Sequence, residues 1–259
     1  MFNVEFLHVV REYELKRVQP YLEGRPRLLE IGGGTGYQAR RLAEGGCDVA
    51  SIDVQESIYA DRLEFPVRVY DGHTFPFPDA SFDVVFSSNV LEHVRDLGQI
   101  HTETRRVLRP NGYCVHVLPS AAWRLWTNVA HYVEMVQRLV YQIPRLVPRG
   151  IRSRERGRWL AELRSTYGIL RSYVIVPRHG EFGNALTEIA RFSRRRWLKH
   201  FRAAGYEILE VRPIGLFYTG HMVLGGRVPL PTRERLARFL GSACVIYKLR
   251  PAGRPTNSG

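Results

Sequence analysis

Residues 27–40, RLLEIGGGTGYQAR, set four glycines within five positions directly behind a short apolar run. A run of that length bounded by turn residues reads as a buried strand. The glycines behind it let the backbone take positive φ and pass close to a ligand. The segment is therefore a strand–loop–helix unit suited to a nucleotide cofactor, and the question is which one. The phosphate loop G-x-x-x-x-G-K-S/T is absent. The dinucleotide pattern G-x-G-x-x-G fails from Gly32 and from Gly33, where Tyr37 and Thr35 fall on required glycines. From Gly34 the variant ending in alanine fits through Gly36 and Ala39, so spacing alone admits a dinucleotide. Glu30-x-Gly32-x-Gly34-x-Gly36 fits without strain, beginning on the strand itself.

Further apolar runs follow at regular intervals: 49–54, 67–70, 82–88 and 112–119. Between them lie helical stretches. One runs from Tyr37 to the glycine pair Gly45–Gly46, a C-cap signal. Another places Leu97, Ile100, Thr104 and Val107 on one face and is expected to stop at Pro110. Such alternation predicts a parallel sheet with helices on both faces. After Ser120 the rhythm changes. Trp126, Ala130, Val133, Val136, Val140 and Ile143 recur at helical spacing, and a basic stretch broken by Pro and Gly follows, to Trp159. The sheet resumes with a helix, Gly205 and a strand at 206–211, then a short helix at 232–241 and a last strand at 243–250. The chain thus divides into an N-terminal helical cover (1–24), a cofactor-binding core (25–120), a basic helical lid (121–192), the C-terminal part of the core sheet (193–250) and a tail expected to be disordered (251–259).

Charge is distributed unevenly along this plan. Residues 1–120 carry 13 Lys+Arg against 17 Asp+Glu, whereas residues 121–259 carry 25 against 8. The whole excess of +13 therefore sits in the second half. Three widely spaced cysteines, Cys47, Cys114 and Cys244, suggest neither a disulfide framework nor a zinc site. The start of the chain lacks the basic-then-apolar order of a signal peptide, and no apolar run reaches membrane-spanning length. A cytoplasmic location is expected, with peripheral contact at the inner membrane face as an open reading.

At Glu30, the glycine set, Asp53 and Asp71, and in the blocks FPFPDASFDVVFSSNVLEHV and VLRPNGYCVHVLPS, the chain resembles class I S-adenosylmethionine-dependent methyltransferases. The likeness is strongest to the ubiquinone/menaquinone-methyltransferase-like group (methyltransferase type 11), and it covers residues 25–120 in order. It implies an α/β fold: a doubly wound, Rossmann-like, seven-stranded sheet, mostly parallel with an antiparallel last strand, plus a helical substrate lid. It implies S-adenosyl-L-methionine as cofactor. Glu30, Gly32, Gly34 and Gly36 would line the methionine, with Tyr37 closing over it. Asp53, beside Val54, would accept both ribose hydroxyls, a task suited to a carboxylate. Asp71, with Gly72 and His73, would border the adenine, and Ser88 and Asn89 would form the cofactor's edge. No metal is expected.

The acceptor is less legible. The (N/D)PP(Y/F) sequence of many amino-group methyltransferases is replaced by SSNV, and no Asp/Asn/His cluster suggests a catechol-type magnesium site. That leaves O- or C-methylation of a small or amphipathic metabolite. Clustered Arg145, Arg149, Arg152, Arg154, Arg156 and Arg158 in the lid would attract an acidic or lipid-linked substrate, or an anionic membrane. An RNA methyltransferase docking through the same half is the alternative, although no RNA-binding module accompanies the arginines and nucleic acid is disfavoured. A base is needed where the acceptor holds its proton tightly. His179, with Glu181 two residues on as its orienting carboxylate, and His93 are the candidates.

Overall fold

The computed structural model describes residues 4–24, 26–54, 63–146, 153–220 and 225–253; side chains at 4, 142–159, 161, 162 and 169 are outside the description. Seven strands form one sheet: β1 (Arg27–Ile31), β2 (Asp48–Val54), β3 (Val67–Tyr70), β4 (Phe82–Ser88), β5 (Leu108–Pro119), β6 (Tyr206–Pro213) and β7 (Cys244–Pro251). Their order is β3-β2-β1-β4-β5-β7-β6, and only β7 runs antiparallel to its neighbours. Strand order reverses direction between β1 and β4, the crevice at which open α/β sheets bind ligands. The glycine turn follows β1 and so opens onto that crevice.

Both faces of the sheet are covered, which is why its central strands read as near-continuous apolar runs. Leu28, Val84, Phe86, Val115 and Val117 pack on one side with Phe6, Val10 and Val18 of α1 (Val4–Val18) and Leu42 of α2 (Tyr37–Glu44). Leu29, Ile31, Val85 and Cys114 pack on the other with Ile100 and Val107 of α3 (Leu97–Val107), and Trp197 and Phe201 of α7 (Arg194–Ala203). α3 stops at Val107, earlier than Pro110. Leu108 is already extended and β5 begins there, Arg109 being biased away from helix by the proline that follows it.

The lid departs further from expectation. α4 (Ala121–Leu146) is followed by α5 (Ser153–Tyr173), a 21-residue helix that begins inside the basic stretch expected to be broken by Pro and Gly as far as Trp159. On α4 the polar residues face inward: Arg124, Thr127, Asn128 and His131 are buried. Leu125, Val129, Val133, Val136 and Val140 are exposed. The expected apolar face is thus split. Ala130 is buried and Trp126 half-buried, Val133, Val136 and Val140 point outward, and the Ile143 side chain is outside the described residues. The inversion has a cause in backbone satisfaction. Arg124 donates to Pro177 O (2.6 Å), Asn128 Nδ2 to Ala185 O (2.9 Å), and Thr127 Oγ1 accepts from Gly220 N (2.9 Å). The inner face of α4 thus pairs with loop backbone at Pro177, Ala185 and Gly220. The side chains of the arginine cluster from Arg145 to Arg158 are outside the described residues. α6 (Thr187–Arg191) and α8 (Leu230–Leu240) complete the helices, and the backbone past β7 is still tied in by Ala252 N to Gly205 O (2.8 Å).

Candidate functional site

The glycine turn is fastened to β2 by Gly32 N and Gly33 N, which both donate to Ile52 O at 2.8 and 3.1 Å. Two glycines in it differ instructively. At Gly36, φ is +76°, and a Cβ would stand 2.7 Å from the Phe65 carbonyl oxygen, so the fold itself demands glycine. At Gly34, φ is +53° and, among the described residues, a Cβ would meet nothing within 4 Å. That open side is a cradle beside the backbone at the sheet's crevice. Gly32 lies against Val90, at the end of the β4 block.

Asp53 ends β2 with both carboxylate oxygens fixed by backbone. Oδ2 accepts from Gly34 N (2.7 Å) and Oδ1 from Val54 N (2.8 Å). Each oxygen keeps a second lone pair, the arrangement needed to take a pair of ribose hydroxyls. Val54 is exposed beside it and lies 3.5 Å from where a Cβ on Gly72 would stand. Asp71 accepts from His73 N (2.8 Å) and Thr74 N (2.7 Å) through Oδ1. Those donors hold its carboxyl below the usual range, and Oδ2 is unengaged among the described residues. Glu30 is buried under the turn and accepts from Ser51 Oγ (2.7 Å). Desolvation dominates there and pushes its carboxyl up to about 8, against the pull of the Ser51 hydrogen bond.

At the end of β4, Asn89 takes a left-handed φ of +56° and donates through Nδ2 to Ser88 Oγ (3.0 Å). Arg11 of α1 pairs with buried Glu14 (2.6 Å), and Tyr218 donates to the same carboxylate (2.9 Å). The N-terminal helix therefore covers this edge. Tyr37, expected to close over the cofactor, is engaged elsewhere: it donates to Glu12 Oε1 (2.8 Å) and stacks on His8 at 4.4 Å. It joins α2 to α1.

Beyond Asn89 the chain makes a 3₁₀ turn, Leu91–His93, and the loop before α6 folds back against it. Glu181 N donates to Glu92 O (2.9 Å), and a Cβ on Gly180 would stand 2.8 Å from that oxygen. This brings the two candidate bases together, with their rings 4.8 Å apart. Trp123 packs on His179 at 4.6 Å. Burial first, then the proximity of His93 and Arg124, push His179 down to about 3. His93 is lowered too, mainly by desolvation, against the opposing pull of Glu188 and Glu181. Both are neutral imidazoles at physiological pH, and His179 is a weak base there. Glu181 does not orient His179. It pairs with Arg95 at 2.5 Å, and the loop is instead anchored by Glu188. Buried Glu188 accepts from His179 N (2.9 Å) and Gly180 N (2.7 Å) and pairs with buried Arg124 at 2.7 Å.

One residue of this corner escaped the sequence reading. Glu92 is 7% exposed, neither of its carboxylate oxygens has a hydrogen-bond partner, and burial pushes it up to about 8. The available signal was a carboxylate set in the apolar run NVLEHV just past a strand end. A cleft of about 210 Å³ reaches this corner, lined by Glu92, Gly180, Phe182, Arg191, Arg196 and Trp197 among others. A larger one of about 480 Å³ lies between α1 and α2 and holds none of the residues above except Glu12.

Residues 29–116 match the family model of a methyltransferase domain. The biotin biosynthesis bifunctional protein BioHC of Cellvibrio japonicus is 32% identical over 121 residues, which is 43% of this chain and 24% of that protein. A probable S-adenosylmethionine-dependent methyltransferase of Mycolicibacterium smegmatis is 40% identical over 97 residues, 36% of this chain and 38% of that protein. The chain thus spans less than two fifths of the length of these curated relatives. Among solved structures, a SAM-dependent methyltransferase from Aquifex aeolicus is similar across 96% of this chain and 99% of its own, at 13% identity and a TM-score of 0.50. The cyclase SpnF is similar across 94% and 81%, at 16% identity and the same TM-score. These two likenesses concern the fold, and that one of them is a cyclase shows why activity must be argued from the site.

Proposed function

We propose, from the match of residues 29–116 to a methyltransferase domain, that the chain is a class I S-adenosylmethionine-dependent methyltransferase acting on an oxygen or carbon of an amphipathic, acidic acceptor presented at an anionic membrane surface. The cofactor supplies an activated methyl group on a sulfonium. Gly34 gives it room, Asp53 offers the two lone pairs its ribose needs, and Asp71 keeps an oxygen free at the neighbouring strand end. Because the donor is already activated, alignment and exclusion of water from the acceptor carry most of the remaining work. The Glu188–Arg124 pair holds the 177–181 loop against the 3₁₀ turn and so closes the acceptor side. His93 and His179, as neutral rings, orient the acceptor's polar group, and Arg191 and Arg196 in the adjoining cleft suit an acidic one.

The observation that carries the acceptor class is the inverted α4. Its polar face lines the lid's interior, and its apolar stripe from Leu125 to Val140 faces outward. A stripe of that length on an exposed helix, in the half of the chain with 25 basic against 8 acidic residues, fits an interfacial helix on anionic lipid. Among the described residues no helix is long and apolar enough to cross a membrane, so contact would be peripheral. The test is incubation of the full chain with methyl-labelled cofactor and separate lipid, metabolite and RNA extracts. Label in the lipid or acidic metabolite fraction, lost in Asp53→Ala, is the expected result. Label in RNA alone overturns the acceptor class, and no label in any fraction overturns the activity.

A further inference from the structure

We propose that Glu92, His93 and His179 together form a binding site for one divalent first-row transition-metal ion, on the acceptor side of the cofactor crevice. One carboxylate oxygen and one nitrogen from each ring lie within 4.8 Å of one another. The three come from two segments 86 residues apart in sequence that are locked face to face. On one side His93 N donates to Val90 O (2.9 Å), and Asn89 N ties the turn to β5 through Val117 O (2.8 Å). On the other, Glu188 holds the backbone of His179 and Gly180, and Glu181 N bonds Glu92 O.

The independent sign of a ligand is Glu92. Its side chain is fully buried, yet among the described residues neither oxygen has a hydrogen-bond partner, His93 Nε2 standing 3.8 Å from Oε1. A buried carboxylate without partners is costly, and a divalent cation is the group that compensates it most completely. Arg11, the nearby cation, already pairs with Glu14 at 2.6 Å. Nor do the ring nitrogens of His93 and His179 hydrogen-bond to any described residue. Two imidazoles and one carboxylate form a donor set for zinc, iron, cobalt or manganese rather than for magnesium or calcium. Bonds of about 2.0–2.2 Å would draw the three donor atoms together by roughly 1 Å. The half-exposed His93 ring can turn inward to do so. Three protein ligands leave an open position, where an acceptor oxygen would bind. That last role rests on the methyltransferase reading, whereas the site itself does not.

The test titrates Zn²⁺ into the full chain after chelator treatment, by calorimetry, and Co²⁺ by its visible absorption. Wild type is expected to bind one Zn²⁺ per chain, with affinity falling at least about tenfold in Glu92→Gln and in His179→Ala. Both variants should keep wild-type affinity for S-adenosylhomocysteine, which shows that they are folded. If Glu92→Gln fails to fold, His93→Ala, whose ring is half-exposed, carries the test instead. Absence of stoichiometric binding by wild type, or binding unchanged in the folded variants, overturns the site. Loss of cofactor binding in wild type would overturn the methyltransferase reading instead, leaving the metal result to stand alone.

Discussion

Glu30 and Glu92 are both carboxylates buried at the strand ends, and both are pushed up to about 8, yet their surroundings differ. Glu30, on the donor side, has Ser51 as a partner, Asp53 is held by Gly34 N of the glycine turn and by Val54 N, and Asp71 by backbone N–H groups of its own loop. Glu92, on the acceptor side, has no hydrogen-bond partner, and Trp123 Nε1 and Asn128 Oδ1 of the neighbouring helix α4 are buried without one as well. Buried polar atoms in folded proteins are almost always paired. Each of the three donor-side carboxylates therefore has a protein partner before any ligand arrives. The acceptor side is a surface whose own chemistry is complete only with another molecule's atoms. The two regions should then fail separately when perturbed.

The largest separation is expected at the lid's internal ion pair. Arg124 and Glu188 are both buried, so removing either leaves the other charge uncompensated. Glu188→Ala should cost about 3–5 kcal/mol, seen as a lower urea midpoint, and should free the His179 loop. Affinity for S-adenosylhomocysteine should stay near wild type, and an equal loss there would show the two regions to be one unit. The converse perturbation is Asp53→Ala, expected to weaken that ligand about 100-fold, in line with losing charge-assisted hydrogen bonds, with little change in melting temperature. Within the turn, Gly36→Ala should destabilise the fold by about 3 kcal/mol through its positive φ and the Phe65 carbonyl. Gly34→Ala should cost only the strain of its positive φ, about 1 kcal/mol, and otherwise act on cofactor binding.

The same contrast explains what could be read from sequence. On the donor side each residue sits at the end of its own strand, Asp71 bonding within three residues and Asp53 meeting Gly34 from the neighbouring strand 19 residues away, so the order of strand ends along the chain reports their geometry. A parallel sheet with helices on both faces followed from the alternation, and seven strands with an antiparallel last one from the family that the chain resembles. The acceptor side is built by contacts between distant segments. Glu188 reaches Arg124 across 64 residues, and His93 reaches His179 across 86. Nothing in the HGE triplet shows that Glu181 turns to Arg95 while Glu188 takes the loop's N–H groups. Periodicity along α4 gave a stripe without saying which side of it faces in. The rule that apolar means inward failed there because loop backbone needed Arg124, Thr127 and Asn128 more than the core needed another valine.

A smaller effect sharpens the comparison through pH. Glu30 binds its proton more tightly folded than unfolded, so its contribution to stability is fully present below about 4.5, the usual carboxylate value. It erodes as pH rises and is gone once pH passes about 8. The melting temperature of Glu30→Gln relative to wild type should therefore climb between those values and level off above the upper one. His101 and His116, beneath the other face of the sheet, are pushed down to about 3 by burial. Their contribution is fully present above about 6.5 and is lost as pH falls toward 3. Acid unfolding should thus begin below about 6.5 in wild type and in Glu30→Gln alike.

The smallest effect on stability falls on the surface that the proposed membrane contact would use. Val133 and Val136 on α4 are 42% and 53% exposed, so exchanging them for charged residues removes little packing. Val133→Glu with Val136→Glu should shift stability by no more than about 0.5 kcal/mol, the usual range for surface changes. Cofactor affinity should not move. Flotation with vesicles containing anionic lipid, in contrast, should fall sharply, because the two carboxylates both interrupt the apolar stripe and repel the headgroups. Raising the salt should weaken wild-type flotation only in part, since an apolar contribution persists where the electrostatic one is screened. If the double variant floats like wild type, the stripe is not the docking surface. The inversion of α4 would then serve only the loops beneath it, and the outward valines would be a by-product of turning its polar face inward.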